Sequence, residues 1–441
     1  MIDVDYIVHG DYLLTMINDH EPIVNGAIAV IDNKIIDVDT YELISQRYRP
    51  SMRLGGSGKV VFPGLVNTHT HAAMVYFRGM ADDLPLKNWL EDYIWPAEGK
   101  WLSDEFIYDA VELACLEMLL GGTTTYNDMY FFEGSAARAV KGMSMRAVLG
   151  CGVLDFPSAS AKDTQGYLDN AEAFIKDWKD DPLVTPCIAP HAPYTCSPDT
   201  FMKSRALAQR YNVPMHTHLS ETQHEVQEVI ARYGKRPVEH LNDIGFLDSR
   251  LVAAHCVWLS EVEIELLAQN QVGVSHCIES NLKLSSGVAP VVAMLERGVS
   301  VSFGTDSAAS NNDLDLFTEM SIAARLHKTM CNNPTVLNAR QALTMATRLA
   351  AEQLGFGDRL GCLKPGYLAD VVIADLNRPH LTPFYDIYSL IVYSMRSADV
   401  DTVMINGKVV VQSKKHTLKD EAAILDKALW WKNRIQQKQD A

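Results

Sequence analysis

The sequence predicts an α/β fold, a (β/α)8 TIM barrel with a small β-sandwich-like subdomain built from both chain ends. In the middle of the chain, short apolar segments alternate with helix-length stretches, and a strand-and-turn style precedes and follows them. Eight such segments over about 250 to 300 residues are what this barrel requires. The 441 residues, 47% of them hydrophobic, suffice for one large core.

The chain ends supply the predicted subdomain. Residues 1–58 contain the strand-like patches YIVHGDYLLTM and GAIAVIDNKIIDV, separated by turn residues and without a helical period. Residues 366–441 return to this style in VVIADL and VDTVMINGKVVVQ. A polar helix is predicted from Lys419 to Lys438, docked through Trp430 and Trp431. We therefore predict a composite β subdomain from 1–58 and 366–441.

Residues 59–365 form the predicted catalytic barrel. Its eight strands are expected within VFPGLVNTH, TTTYNDM, MRAVLGCGVL, LVTPCIAPH, VPMHTHLSE, LVAAHCVWL, QVGVSHCI and VSVSFGTDS. Active sites of this fold form where the carboxyl ends of the strands meet. Polar residues at those ends are therefore the candidates for chemistry.

Charge and composition exclude several kinds of partner. The net charge is −16, whereas nucleic acids and anionic membranes are bound by clustered Lys and Arg. No apolar run approaches the roughly 20 residues of a membrane span, and the N-terminus is acidic where a secretion signal is basic. Eight scattered cysteines without a C-x-x-C pair indicate reduced, buried thiols. We expect a cytoplasmic enzyme with a small-molecule substrate.

The candidate site residues cluster at the predicted strand ends. His69 and His71 are two apart on the first strand, so their side chains project to one face. Imidazoles together with a carboxylate bind a divalent metal that activates water. The other candidates at strand ends are His191, His218, Glu221, His255 and Asp306. His216 is expected to be a buried residue that supports the site from behind, and His276 to lie either behind the site or in the core.

The motifs PGLVNTHTH, APHAPYTCSPD, HTHLSET, AAHC, SNLKLSSGVAP and GTDSAASNN resemble the amidohydrolase superfamily, in its mononuclear zinc aminohydrolase branch. They span residues 63–312, and the flanking β segments fit the family's composite domain. The resemblance implies one zinc ion held by His69, His71, His218 and Asp306. It also implies that His255 and Asp306 handle the water proton while Glu221 protonates the substrate ring. Iron or manganese suits the same ligands.

Within this branch the chain most closely resembles the 5′-methylthioadenosine/S-adenosylhomocysteine deaminases. That resemblance implies that Trp89, Glu98 and His191 bind a purine nucleoside, with Glu98 accepting hydrogen bonds from the ribose diol. Members that take S-adenosylhomocysteine carry arginines after strand three, the first at the position of Cys151. Here that stretch has no Arg, although Lys162 lies nearby. Methylthioadenosine is therefore favoured over S-adenosylhomocysteine, and adenosine stays open.

Two other functions stay open on the sequence. One is a different activity of the same branch, on guanine, another purine or a triazine, whose substrates lack a ribose for Glu98. The other is a non-catalytic scaffold that keeps the barrel for association. A homo-oligomer is expected, and the aromatic side chains of Tyr76, Phe77 and Trp95 either line its interface or cover the substrate.

Overall fold

The computed structural model describes residues 1–18 and 20–437, which form two sheets. Eight parallel strands in sequence order make a nearly closed barrel, and nine strands from both ends of the chain make the second sheet. The predicted fold class is confirmed. The strands are β1 Ile2–Leu13, β2 Ile23–Val24, β3 Gly26–Ile31, β4 Lys34–Thr40, β5 Tyr48–Pro63, β6 Leu65–Thr70, β7 Thr123–Tyr130, β8 Arg146–Val153, β9 Val184–Pro190, β10 Met215–Leu219, β11 Leu251–His255, β12 Gly273–His276, β13 Val301–Phe303, β14 Val371–Asp375, β15 Val400–Ile405, β16 Lys408–Gln412 and β17 Lys415–His416.

Helices follow most of the barrel strands, and a continuous helical segment over 86–101 contains a π-helical stretch, Trp89–Ile94, between α2 and α3. Short 3-10 turns lie at Ala72–Phe77, Pro379–Leu381 and Ser397–Asp399. The helices are α1 Tyr41–Arg47, α2 Leu86–Asn88, α3 Trp95–Trp101, α4 Asp104–Leu120, α5 Glu133–Gly142, α6 Thr164–Trp178, α7 Pro198–Tyr211, α8 Gln223–Tyr233, α9 Pro237–Asp243, α10 Glu261–Gln269, α11 Ile278–Lys283, α12 Val291–Glu296, α13 Leu316–Met330, α14 Ala339–Met345, α15 Arg348–Gln353, α16 Ile387–Tyr393 and α17 Glu421–Gln437.

The first and last barrel strands, β6 and β13, meet through side-chain and loop contacts. Thr68 Oγ1 donates to the Phe303 carbonyl at 2.9 Å, and the Asp306 amide donates to the His69 carbonyl at 3.0 Å. Gly304 lies at the closest approach, where a Cβ atom would stand 2.7 Å from His69 Cβ. A glycine is needed here because the backbone passes so close to the histidine strand. This closure places the ends of β6 and β13 side by side.

The end-chain sheet has the strand order β17-β16-β15-β14-β5-β1-β3-β4, with β2 paired to β1. Its two halves enclose one apolar core, since Val8 and Ile28 from the N-terminal half cluster with Val371 and Ile373 from the C-terminal half. The division expected between residues 58 and 59 falls inside β5, because 59–63 pair with β14. Helix α1 was not predicted, since its only buried residue is Ile44.

Two buried contacts join the chain ends to the barrel. Arg146 at the start of β8 makes a two-pronged ion pair with Asp370, at 3.1 and 3.2 Å. Trp431 of α17 is 3% exposed and donates its indole N–H to Asp109 at 2.9 Å. Trp431 is thus the docking residue, whereas Trp430 stays 45% exposed. The predicted helix end at Lys438 lies outside the described residues.

The helices and the cysteines bear on two predictions from the sequence. Within residues 1–18 and 20–437, no helix combines the length and apolar character that a bilayer crossing requires. All eight cysteines are free thiols, and seven of them are buried. Cys331 is the exception, because it lies exposed just beyond the end of α13.

Candidate active site

Four of the predicted site residues converge at the carboxyl end of the barrel. Nε2 of His69 and Nε2 of His71, both on or beside the end of β6, each lie 3.4 Å from Asp306 Oδ1. His218 on β10 brings its Nε2 to 3.2 Å from Nε2 of His71. Three imidazole nitrogens and one carboxylate oxygen therefore face a common point.

The Nδ1 atoms of these histidines are occupied, which leaves Nε2 for the common point. His71 donates from Nδ1 to the Met129 carbonyl at 2.5 Å, and His218 donates from Nδ1 to the His191 carbonyl at 2.9 Å. His69 Nδ1 lies 2.9 Å from Nε2 of His216. Such bonds fix the tautomer and ring orientation of metal-binding histidines.

This cluster fits a single divalent cation. His69 Nε2 is a fully buried nitrogen without a hydrogen-bond partner among the described residues. Burial lowers the pKa of His69 to about 3 and lowers the pKa of His71 and His218 as well, so the imidazoles are neutral and keep their lone pairs. Neutral imidazoles and a carboxylate are the ligands that zinc prefers in catalytic sites.

Asp306 is held by two hydroxyl groups. Ser280 Oγ donates to Asp306 Oδ2 at 2.6 Å and Ser310 Oγ donates to the same oxygen at 2.7 Å. The other oxygen, Oδ1, is left facing the histidines. Burial by itself would raise the pKa of Asp306. The neighbouring histidines lower this pKa by more than burial raises it, so the carboxylate stays ionised.

Glu221 and His255 face each other beside the cluster, with 3.8 Å between Oε2 and Nε2. His255 is anchored from the other side, where its Nδ1 donates to Asn281 Oδ1 at 2.9 Å. Burial opposes a charge on His255, yet the carboxylates of Glu221 and Asp306 raise its pKa. Burial raises the pKa of Glu221. The two groups thus form an adjacent acid and base pair.

The backbone is strained where these side chains leave their strands. Ser220, His255 and Asp306 have φ angles of 52°, 71° and 57°, in the left-handed region that non-glycine residues seldom adopt. The Glu225 carboxylate accepts hydrogen bonds from the amides of Ser220 and Glu221, each at 2.8 Å. This bond pair fixes the turn that aims Glu221, and such strain concentrates at functional sites.

A cavity of about 390 Å³ opens onto the cluster and contains the predicted substrate residues Trp89, Glu98 and His191. Glu98 is half-buried at its wall, where it accepts a hydrogen bond from Tyr130 Oη at 2.6 Å. Burial raises the pKa of Glu98 to about 7, and the Tyr130 bond opposes this shift. The Tyr130 ring lies 6.1 Å from that of His71, so Tyr130 links Glu98 to the histidines.

The remaining lining of the cavity is mostly apolar and aromatic. No Lys or Arg is among the described residues that line it. Cys151 lies behind it and lines a separate depression with Glu133, and Lys162 is exposed and lines neither space. No cation therefore stands where the resemblance would place one for an amino-acid carboxylate.

The other predicted residues divide between support and core. His216 lies behind His69, as expected, and His276 contacts His327, with 3.1 Å between their Nε2 atoms. Tyr76 and Phe77 pack on Phe106 in the hydrophobic core, whereas Trp95 lines the cavity.

Sequence reasoning did not single out the supporting partners Tyr130, Ser280, Asn281 and Ser310. A signal existed for three of them, because Ser280 and Asn281 lie in the motif SNLKL and Ser310 lies in TDSAAS.

Comparison with known proteins agrees with this geometry. The model of the amidohydrolase family matches residues 60–410. The chain is 52% identical over 98% of its length to the 5-methylthioadenosine/S-adenosylhomocysteine deaminase of Thermodesulfovibrio yellowstonii, of which it covers 98%. It is 43% identical, over 96% of both chains, to the 5′-deoxyadenosine deaminase of Methanosarcina acetivorans.

A solved structure, an adenosine deaminase from Xanthomonas campestris with bound zinc, superimposes with a TM-score of 0.97 at 38% identity and covers 99% of both chains. The family match extends over most of the chain, and the first relative is alike along almost its whole length. The family predicted from the sequence motifs is confirmed: this chain belongs to the amidohydrolase family.

Proposed function

We propose that this protein removes the C6 amine of a 5′-substituted adenosine by hydrolysis, with 5′-methylthioadenosine as the preferred substrate. One observation carries the proposal. The cavity joins a cluster that fits one divalent cation to the half-buried carboxylate of Glu98 through Tyr130, and its lining contains no Lys or Arg among residues 1–18 and 20–437. That combination suits a nucleoside with a polar ring, a ribose diol and an uncharged 5′ end.

We assign one zinc ion per subunit to His69, His71, His218 and Asp306. The relative from Xanthomonas campestris was solved with zinc, and the donor set here is of the type that catalytic zinc uses. When bound, zinc lowers the pKa of a water molecule toward neutrality and so supplies a nucleophile. Manganese and iron suit the same donors.

The chain's own residues move the protons. His255 and Asp306 accept the proton of the attacking water, while protonated Glu221 donates to N1 of the adenine ring, which makes C6 electrophilic. The water oxygen bonds to C6, which becomes tetrahedral. The amine then takes a proton returned through Asp306 or Glu221 and the C6–N bond breaks, while the C6 hydroxyl gives up the second water proton, which restores protonated Glu221. Ammonia leaves with the inosine analogue as product. The 3.8 Å between Glu221 and His255 supports this division of roles.

Substrate recognition rests on the far wall of the cavity. An ionised Glu98 accepts hydrogen bonds from both ribose hydroxyls, and Trp89 and His191 line the space beside it. His191 is held by Thr195, with 2.8 Å between Nδ1 and Oγ1.

The relatives' names support an adenosine that is modified at its 5′ end. One relative is a 5-methylthioadenosine/S-adenosylhomocysteine deaminase and another a 5′-deoxyadenosine deaminase. Among these substrates only S-adenosylhomocysteine carries a carboxylate, and the part of the chain that the structure describes places no lysine or arginine in the cavity lining. The order of preference we expect is methylthioadenosine, deoxyadenosine or adenosine, then S-adenosylhomocysteine.

An ammonia-release screen of the zinc-loaded protein tests the proposal. The panel is 5′-methylthioadenosine, 5′-deoxyadenosine, adenosine, S-adenosylhomocysteine and guanine, with chloride release followed for a chlorotriazine. We expect the highest kcat/KM for methylthioadenosine. Activity confined to guanine or the triazine would overturn the assignment, and no ammonia from any purine together with less than stoichiometric zinc would indicate a scaffold.

A further inference from the structure

The catalytic cavity continues into a second, larger space. This outer cavity has a volume of about 900 Å³ and shares with the inner one the side chains of Trp95 and Phe156. Their ring centroids are 5.7 Å apart, and the rings are inclined by 59°. One ring comes from the helical segment over 86–101 and the other from the loop after β8. The two aromatic rings therefore stand at the boundary between the cavities.

The position of Trp95 relative to Glu98 relates this boundary to the substrate. Both residues lie on α3, three positions apart, which places them on one face of the helix and about 4.5 Å apart along its axis. A ribose whose 2′ and 3′ hydroxyls contact Glu98 has its C5′ atom on the other side of the same sugar ring. With C6 of the adenine at the histidines, the 5′ substituent points away from the histidines and from the face of the ribose that contacts Glu98. Trp95 and Phe156 line the same cavity.

We propose that Trp95 and Phe156 form an aromatic gate around the 5′ substituent and that the outer cavity receives any part extending beyond it. The assignment rests on the proposed nucleoside deamination. The ligand class is adenosines with a 5′-alkylthio chain, including chains longer than methyl. Thioether sulfur packs favourably on aromatic rings, and the shared walls beside the gate include Leu86 and Leu90.

The gate is built on anchored backbone. Tyr167 Oη donates to the Phe156 carbonyl at 3.0 Å, and Tyr167 itself is 1% exposed. The Phe156 side chain is only half-buried, so it can be shortened without opening the core.

Beyond the gate, two lysine side chains that line the outer cavity are already paired with acidic side chains. Lys283 contacts Asp82 at 2.6 Å, and Lys87 contacts Glu91 at 4.0 Å. An apolar tail therefore enters more readily than an anionic one, because a carboxylate would have to compete with these acids.

Phe156→Ala tests the gate, with Phe384→Ala as the matched control. Phe384 is also half-buried but packs on Tyr12 in the end-chain sheet. The probes are 5′-methylthioadenosine and 5′-hexylthioadenosine, compared by kcat/KM on the zinc-loaded enzyme. We expect Phe156→Ala to raise the hexyl-to-methyl ratio by about tenfold or more, which corresponds to about 1.4 kcal/mol, and Phe156→Trp to lower it. Phe384→Ala should leave the ratio unchanged.

Binding of the corresponding 5′-alkylthioinosines, measured by calorimetry, separates the gate from the reaction. These products are not turned over, so their Kd values report the cavity alone. A hexyl-to-methyl Kd ratio that changes in Phe156→Ala supports the gate, whether or not the wild-type enzyme releases ammonia. If no ammonia is released, the proposed function is refuted but the gate is not. Ratios of kcat/KM and Kd that both stay within twofold of wild type would overturn the gate while deamination stands.

Discussion

Replacing Glu98 by Ala tests the ribose contact directly. The half-buried carboxylate accepts a hydrogen bond from Tyr130 and retains acceptor capacity for a ribose diol. A hydrogen bond to a charged group contributes about 1.5–3 kcal/mol, so two of them contribute at least about 3 kcal/mol. We therefore expect kcat/KM for methylthioadenosine to fall by about 100-fold or more. Turnover of free adenine, which has no ribose, should change by less than about threefold, a change of less than 1 kcal/mol.

The same carboxylate predicts a pH dependence. Burial raises the pKa of Glu98 to about 7, and only its ionised form accepts both ribose hydroxyls. Its ionised fraction rises from about 10% at pH 6 to about 90% at pH 8, so kcat/KM for the nucleoside should rise over this range. The Glu98→Gln variant has no titrating group at this position, so its kcat/KM should no longer rise between about pH 6 and pH 8. We call this rise the pH limb. Tyr130→Phe removes a bond that lowers the pKa, so the limb should move to higher pH.

The assay is ammonia release at varied pH, with methylthioadenosine and adenine compared for each variant. Equal losses of kcat/KM on nucleoside and free base in Glu98→Ala would refute the ribose contact. A pH limb that persists unchanged in Glu98→Gln would show that another group is titrating.

Three further substitutions test the metal cluster and the proton transfers. Glu221→Gln should keep stoichiometric zinc by metal analysis but lose several orders of magnitude in kcat, and near-normal turnover would exclude its proton role. Asp306→Asn should lower both zinc content and kcat, whereas unchanged zinc would point to a different fourth ligand. Asn281→Ala frees Nδ1 of His255, so kcat should fall about 10- to 100-fold, a loss of about 1.4–2.8 kcal/mol, with KM and zinc content little changed. A raised KM at normal kcat would instead place Asn281 in substrate binding.

The sequence by itself determined the barrel and the residues at its carboxyl edge. All eight predicted barrel strands are present, because each is a short apolar run bounded by turn residues and followed in most cases by a helix-length stretch. Parallel strands end at one edge, so residues such as His69, His218 and Asp306 could be expected to meet although they are far apart in the chain.

The local sequence pattern did not predict a helix that buries only one side chain. It also placed a domain boundary inside a strand that runs on toward the barrel. Helix α1 has a single buried side chain and gave no apolar period. The long strand β5 serves the end-chain sheet up to Pro63 and leads directly to β6, so no turn marks the expected boundary at residue 58.

The tertiary structure alone decided which atoms meet. The bond from Tyr130 to Glu98, the anchoring of His255 by Asn281 and the gate of Trp95 and Phe156 each join residues from different elements. A hydrogen bond or ring contact depends on separations of a few ångströms set by how whole elements pack. The spacing of residues in the sequence determines which of them share a face of one element, but it does not determine the distance between two elements. These partners could therefore be identified only from the tertiary structure.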